Sequence, residues 1–204
     1  MDEPAKPPFA VPVLETRRLR LRPLRGDDAE ALHEAYADPQ VMHQWSLPPS
    51  ADLSETRERL AWSLEADPQA HASWALVQPA ADRLIGLINY HHREARHRRL
   101  EIGYLLARAH WGQGLMREAL AAVLDHCFGS FSVHRVEAMV APDNMASRQL
   151  LQSLGFVCES EALRDRLKVG DSYRTMTMYG LLAPDWWTKA AALTAPGTTR
   201  EETA

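Results

Sequence analysis

Apolar and polar positions follow two periods along this chain. Leu19-Arg20-Leu21-Arg22 alternates with period two, the pattern of a half-buried strand. After a turn at Gly26, Asp27 and Glu30 have capping-box spacing and predict a helix to Ala37, ended by Asp38-Pro39. Gln44-Trp45-Ser46-Leu47-Pro48-Pro49 reads as a loop. Asp52 and Glu55 repeat the capping spacing and open a helix to Ala66. Ser73–Val77 and Leu84–Ile88 are apolar strands joined by a turn over 78–82, a candidate hairpin. His91–Arg99 is a polar, basic connector, and Leu100–Leu106 is the next strand. Leu115, Ala119, Val123 and Cys127 recur every four residues and mark one helix face. Arg135–Val140 is a strand. Ala146, Leu150, Leu151 and Leu154 mark a second helix, stopped by Gly155. Phe156–Ser160 and Tyr173–Leu181 read as the last two strands. The order β-α-α-β-β-β-α-β-α-β-β is a mixed α/β layer fold.

Composition narrows the class. A chain of 204 residues suits one domain, and 46% hydrophobic with 25% charged residues is ordinary for a globular protein. Twenty-three Lys+Arg against 27 Asp+Glu give a net charge of −4, with a pI near 6.1. That balance argues against nucleic-acid coating and against polybasic membrane binding. There is no 18-residue apolar run and no signal-peptide pattern, so a cytoplasmic location is expected. Two cysteines, Cys127 and Cys158, do not make a disulfide scaffold. Prolines in residues 1–13 predict a flexible tail, 14–187 reads as a single domain onto which Trp186-Trp187 are expected to pack the C-terminus, and 188–204 as a C-terminal tail.

Chemistry concentrates in two segments. In Ala109-His110-Trp111-Gly112-Gln113-Gly114-Leu115-Met116 a strand gives way to a helix through two alternate glycines. Such a turn exposes successive N–H groups at the positive end of a helix, a seat for phosphate or pyrophosphate. It is equally what a tight loop before a helix looks like. There is no Gly-Lys-[Ser/Thr], and Arg117 stands where a dinucleotide fingerprint needs its third glycine. In Pro142-Asp143-Asn144-Met145-Ala146-Ser147, Asn144 is a plausible helix cap, with Ser147 one turn in. His91, His92, Arg93, Arg96, His97, Arg98 and Arg99 form a basic cluster that reads first as a solvated hairpin tip and second as a recruiter of an acidic protein or RNA surface near the substrate. His43 and His110 lack metal-ligand spacing, and no metal is expected.

Taken in order, these pieces resemble the GNAT acetyltransferase family, and within it the RimJ/RimL branch of ribosomal-protein N-terminal acetyltransferases. The matching text is Leu14-Glu15-Thr16-Arg17-Arg18-Leu19-Arg20-Leu21-Arg22, Glu101-Ile102-Gly103-Tyr104, Trp111-Gly112-Gln113-Gly114 with Glu118-Ala119, Arg135-Val136-Glu137-Ala138, Asn144-Met145-Ala146-Ser147 and Leu154-Gly155-Phe156. It covers residues 14–182. The resemblance implies a mixed, mostly antiparallel central sheet with splayed middle strands, flanked by helices. It implies acetyl-CoA as donor and a primary amine as acceptor, first of all a ribosomal or other protein N-terminus.

The family pattern also assigns roles. Tyr104, Leu105 and Leu106 would pair with the pantetheine arm. Trp111, Gly112, Gln113, Gly114, Leu115 and Met116 would hold the pyrophosphate. Asn144 would bond the pantetheine arm, with Ser147 near the sulfur as proton donor. Glu101 would be the general base, and Trp45 falls where the acceptor-site loop lies, though it could equally be a core aromatic. Two departures stand out: Ala109 occupies a position often Gln or Arg, with Arg108 one earlier, and no tyrosine lies between Asn144 and Gly155. A ping-pong route through Cys127 or Cys158 is disfavoured. The alternatives are a small-amine acetyltransferase (polyamine, amino acid or drug) and a silent acyl-CoA-binding module. A monomer and a homodimer remain open, and no membrane or nucleic-acid partner is expected.

Overall fold

The computed structural model describes residues 11–80 and 82–194. Most of both predicted tails, 1–10 and 195–204, lies outside them. Eight strands form one sheet: β1 (Leu14–Glu15), β2 (Arg20–Pro23), β3 (Ala72–Gln78), β4 (Arg83–Glu94), β5 (Arg99–Leu106), β6 (Arg135–Val140), β7 (Val157–Val169) and β8 (Ser172–Leu182). Their order across the sheet is β1-β2-β3-β4-β5-β6-β8-β7. Every pairing is antiparallel except β5 with β6.

Helices cover both faces. On one lie α1 (Ala29–Tyr36), α2 (Pro39–Met42) and α3 (Leu53–Glu65). Their core joins Leu32, Met42 and Leu60 to Ala75, Leu87 and Leu105 of the sheet. On the other lie α4 (Leu115–Gly129), α5 (Met145–Ser153) and α6 (Ala183–Thr194). Here Leu120, Val123, Leu151 and Trp186 meet Leu21, Trp74, Ile88, Leu100 and Ile102. Strand alternation thus sends odd positions of β5 to the first face and even positions to the second.

The expected α4 face is buried throughout, at Leu115, Ala119, Val123 and Cys127. Several boundaries differ from the sequence reading. The Asp27/Glu30 box does not form. Asp28 is the residue turned inward, and it accepts from the Arg25 N–H at 2.8 Å and from both terminal nitrogens of Arg22. Asp52 does cap α3 through the Glu55 N–H (2.9 Å), whereas the Glu55 carboxylate takes the Ala51 N–H. β4 runs on through Glu94, so the basic connector is mostly strand. β7 extends to Val169, well past Ser160, as an edge strand whose polar residues face water and whose register slips three times against β8. α6 continues beyond residue 187 to Thr194; Trp186 is buried, its indole donating to Asp125 Oδ1 at 2.9 Å, while Trp187 stays half exposed.

Candidate functional site

The middle of the sheet is split. β5 pairs with β4 along its length, but with β6 only at Arg99–Arg135, Leu100–Val136 and Glu101–Glu137. Beyond Glu101 the two strands diverge, and one edge of β5 loses its partner. The Ala107 N–H donates to Ile85 O at 2.8 Å. Backbone groups alternate along a strand, so those of Leu105 point to β4, and those of Tyr104 and Leu106 point into the split. Buried backbone groups need partners. A ligand strand entering here would find the Leu106 N–H and both groups of Tyr104; the Leu106 carbonyl already accepts from the Trp111 indole at 2.7 Å.

At the end of the split lies the glycine loop. Gly112 and Gly114 both have φ +71°, a left-handed conformation that favours glycine. Among the described residues no side chain caps α4, which leaves its first N–H groups open at the positive end of a 15-residue helix. The Leu115 and Met116 side chains are buried beneath the turn. The sequence reading gave no role to the clamp that fixes it. Arg18 donates to Gln113 O (2.8 Å) and to Glu118 Oε2 (2.7 Å), and Glu118 also accepts from Thr16 Oγ and the Arg18 N–H. These bonds hold the Glu118 carboxyl below its ordinary range against the opposing effect of burial. Gln113 donates to Ala109 O. Arg108 turns away from the loop and pairs with Asp38 at 2.9 Å.

The predicted side chains gather where the split begins, on its two faces. Glu101, directly opposite His91 in the β4–β5 register, is 8% exposed. Burial pushes its carboxyl up, but hydrogen bonds and charge from His91 and His92 outweigh that and hold it low. Gly103 lies two residues on. A Cβ there would come within 3.3 Å of Trp45 and 2.8 Å of Asn89 Oδ1, so Gly103 is what lets the Trp45 ring close over β5. Arg174 of β8 donates to His43 O at 2.6 Å and fastens the Trp45 loop to the long hairpin, a contact no sequence signal announced. On the opposite face the Tyr104 hydroxyl lies 2.6 Å from Ser147 Oγ. Burial raises the Tyr104 pKa, keeping it protonated. Asn144 caps α5 by accepting the Ser147 N–H (3.1 Å).

Neither cysteine suits an acyl carrier. Burial pushes the Cys127 thiol up to about 12, and the Cys158 thiol is raised by burial and by Glu161. A thiolate, not a thiol, is the nucleophile. No helix among the described residues is long and apolar enough to cross a membrane.

Known proteins share this arrangement. The acetyltransferase (GNAT) domain model matches residues 18–157. The uncharacterized N-acetyltransferase p20 of Bacillus licheniformis is 32% identical over 174 residues, covering 85% of this chain and 97% of its own. The [ribosomal protein uS5]-alanine N-acetyltransferase of Escherichia coli is 31% identical, covering 85% and 92%. The crystal structure of spermidine N-acetyltransferase from Vibrio cholerae, in complex with CoA and spermine, superposes with a TM-score of 0.72 at 24% identity, covering 83% and 98%. With the split sheet and glycine loop already in place, the chain belongs to the GNAT family, as an acetyl-CoA-dependent N-acetyltransferase that transfers to an amine.

Proposed function

We propose that the acceptor is a protein N-terminal α-amine, as for the RimJ/RimL branch, and that the reaction is direct transfer within one domain, residues 14–187, in the cytoplasm. The observation that carries the mechanism is the position of Glu101, a buried carboxylate at the last residue where β5 and β6 still pair. There Glu101 would take the proton of the amine, directly or through water, as it attacks the thioester carbonyl. The Leu106 N–H would polarise that carbonyl. Ser147, hydrogen-bonded to Tyr104, would protonate the departing sulfur from the opposite face. Gly112, Gly114 and the first turn of α4 would hold the pyrophosphate, Asn144 the pantetheine arm, and Trp45 would line the acceptor mouth.

Charge near Glu101 supports this acceptor class. Beside Glu101 stand His91, His92 and, across the Trp45 loop, Arg174. A polycationic amine gains little from such neighbours. An α-amine, with an ordinary pKa of about 7.7–8.0 against about 10.4 for lysine, needs only one modest base. The uS5-alanine acetyltransferase relative supports the same acceptor.

Transfer from acetyl-CoA to free-N-terminus peptides, to lysine peptides with blocked N-termini and to polyamines, read by mass spectrometry, tests this. Mass gain confined to free N-termini is expected, and gain confined to polyamines would move the protein to small-amine acetylation. Glu101→Gln should lower turnover about 10²–10⁴-fold with acetyl-CoA affinity unchanged. Unchanged turnover would remove Glu101 from the mechanism.

A further inference from the structure

Because His91 faces Glu101 across β4 and β5, strand alternation should send His92 to the other side of the sheet. It does not go there. The pairing slips between His91 and Glu94, and His92 takes a left-handed backbone, φ +49°. That conformation costs an L-residue about 1–2 kcal/mol. Its effect is to turn both rings onto one carboxylate. His91 Nε2 lies 3.2 Å from Glu101 Oε1, and His92 Nδ1 lies 3.4 Å from Oε2. One donor atom from each of the three residues falls within 4.8 Å of the others.

The far side of the His91 ring is held as well: His91 Nδ1 lies 3.2 Å from Asn89 Oδ1, which leaves Nε2 aimed at Glu101. A carbonyl fixing the far nitrogen is the usual support of a metal-bound imidazole.

Size and donor type favour zinc. Ligand atoms bound tetrahedrally at about 2.0–2.2 Å lie about 3.3 Å apart. Each imidazole nitrogen is near that spacing from one of the two Glu101 oxygens, at 3.2 and 3.4 Å, and the set with one donor atom from each residue, within 4.8 Å, would draw in around the ion. Two imidazoles and a carboxylate suit Zn²⁺ with water in the fourth position, whereas Mg²⁺ and Ca²⁺ prefer all-oxygen sites.

We infer that His91, His92 and Glu101 bind Zn²⁺, and that the bound ion, by occupying Glu101, switches acetyl transfer off. The switching half rests on Glu101 as the base; the binding half does not.

The test uses the chelator-treated full chain at pH 8, with ZnCl₂ in equilibrium dialysis and, in parallel, in the transfer assay. His92 is largely exposed and lies outside the proposed catalytic machinery. His92→Asn keeps a residue that tolerates the left-handed turn and shortens the side chain. One Zn²⁺ per chain is expected, held at least about tenfold more weakly by His92→Asn. Inhibition of the parent should track occupancy, and His92→Asn should need at least about tenfold more zinc for the same inhibition. Absence of stoichiometric binding, or equal binding by parent and variant, would overturn the site. Binding that His92→Asn weakens but that leaves transfer untouched would keep the site and reject both the switch and Glu101 as base.

Discussion

Gly86 lies in β4 directly opposite Leu106, the last residue of β5. A Cβ at Gly86 would stand 2.4 Å from the Leu105 carbonyl oxygen and 3.0 Å from both Leu106 Cα and Leu106 Cδ1. The methyl can rotate away; the two backbone atoms cannot. A carbon–oxygen contact relaxes at about 3.3 Å, so Gly86→Ala must push the end of β5 outward by about 0.9 Å. Overpacking of this kind costs about 1–3 kcal/mol. With an unfolding entropy of about 2.1 cal/mol/K per residue, that lowers Tm by about 2–7 °C. The effect on transfer should be larger. The strand that moves carries Tyr104 and the Leu106 N–H, and a misplacement of about 1 Å can cost about 10²-fold in rate. Thermal unfolding by circular dichroism and kcat/KM from released CoA measure the two effects. Gly26→Ala, where a Cβ meets nothing within 4 Å, should change neither. A Gly86→Ala protein with parental Tm and parental kcat/KM would refute the steric argument. A lowered Tm with parental kcat/KM would refute the link between the end of β5 and the transfer site.

Arg22 and Asp28 are both buried, and Arg22 Nε has no partner among the described residues even with Asp28 present. Asp28→Asn strands that guanidinium and should cost about 3–5 kcal/mol in urea unfolding; a loss under about 1 kcal/mol would show the pair to be solvated. Burial lowers the His71 pKa to about 4, with the charge of His91 adding to it, so the fold favours the neutral ring. The unfolded chain then binds the extra proton first, and stability present above about pH 6.5 is lost as the pH falls toward 4. Urea midpoints should fall between pH 6.5 and 5, above the ordinary carboxylate range, and His71→Leu should flatten that slope; an unchanged slope would point to another group. Intact-mass measurement after mixing with acetyl-CoA and no amine should find no adduct on Cys127 or Cys158; an acetylated cysteine would reject direct transfer.

What the sequence made legible was local. The α4 face repeats within one helix, the Asp52 cap spans three residues, and Gly112 and Gly114 sit where the backbone must turn left-handed. The Asp27/Glu30 box was misleading because its geometry competes with a buried arginine on β2 that no local window contains. β7 went unread beyond Ser160 because an edge strand exposed on both faces has no reason to alternate apolar with polar residues. The basic stretch from His91 is the expected solvated hairpin tip at 95–98, but not at its start. Its composition records charge, while its bulge and its register opposite Glu101 decide where His91 and His92 point. Arg18, Arg174 and Asn89 owe their places to contacts between distant segments, and their residue types gave no hint of them.

Glu101 and Tyr104 show why the split matters more than any one side chain. Residues three apart on a strand project to opposite faces of a sheet. In a closed sheet a carboxylate on the α1–α3 side and a hydroxyl on the α4–α5 side could not act on one bound substrate. β6 leaves β5 immediately after Glu137, and the opening it creates begins between those two residues. Glu101 on one face and the Tyr104–Ser147 hydroxyl pair on the other then stand at the two sides of a single opening, as the proposed transfer requires. The open backbone edge of Tyr104 and Leu106 lies along that passage, and elsewhere in a sheet such an edge would invite aggregation. The same break in pairing thus leaves backbone groups open to a ligand and, in the proposed mechanism, gives the route by which an amine on one side would reach a thioester whose sulfur departs on the other.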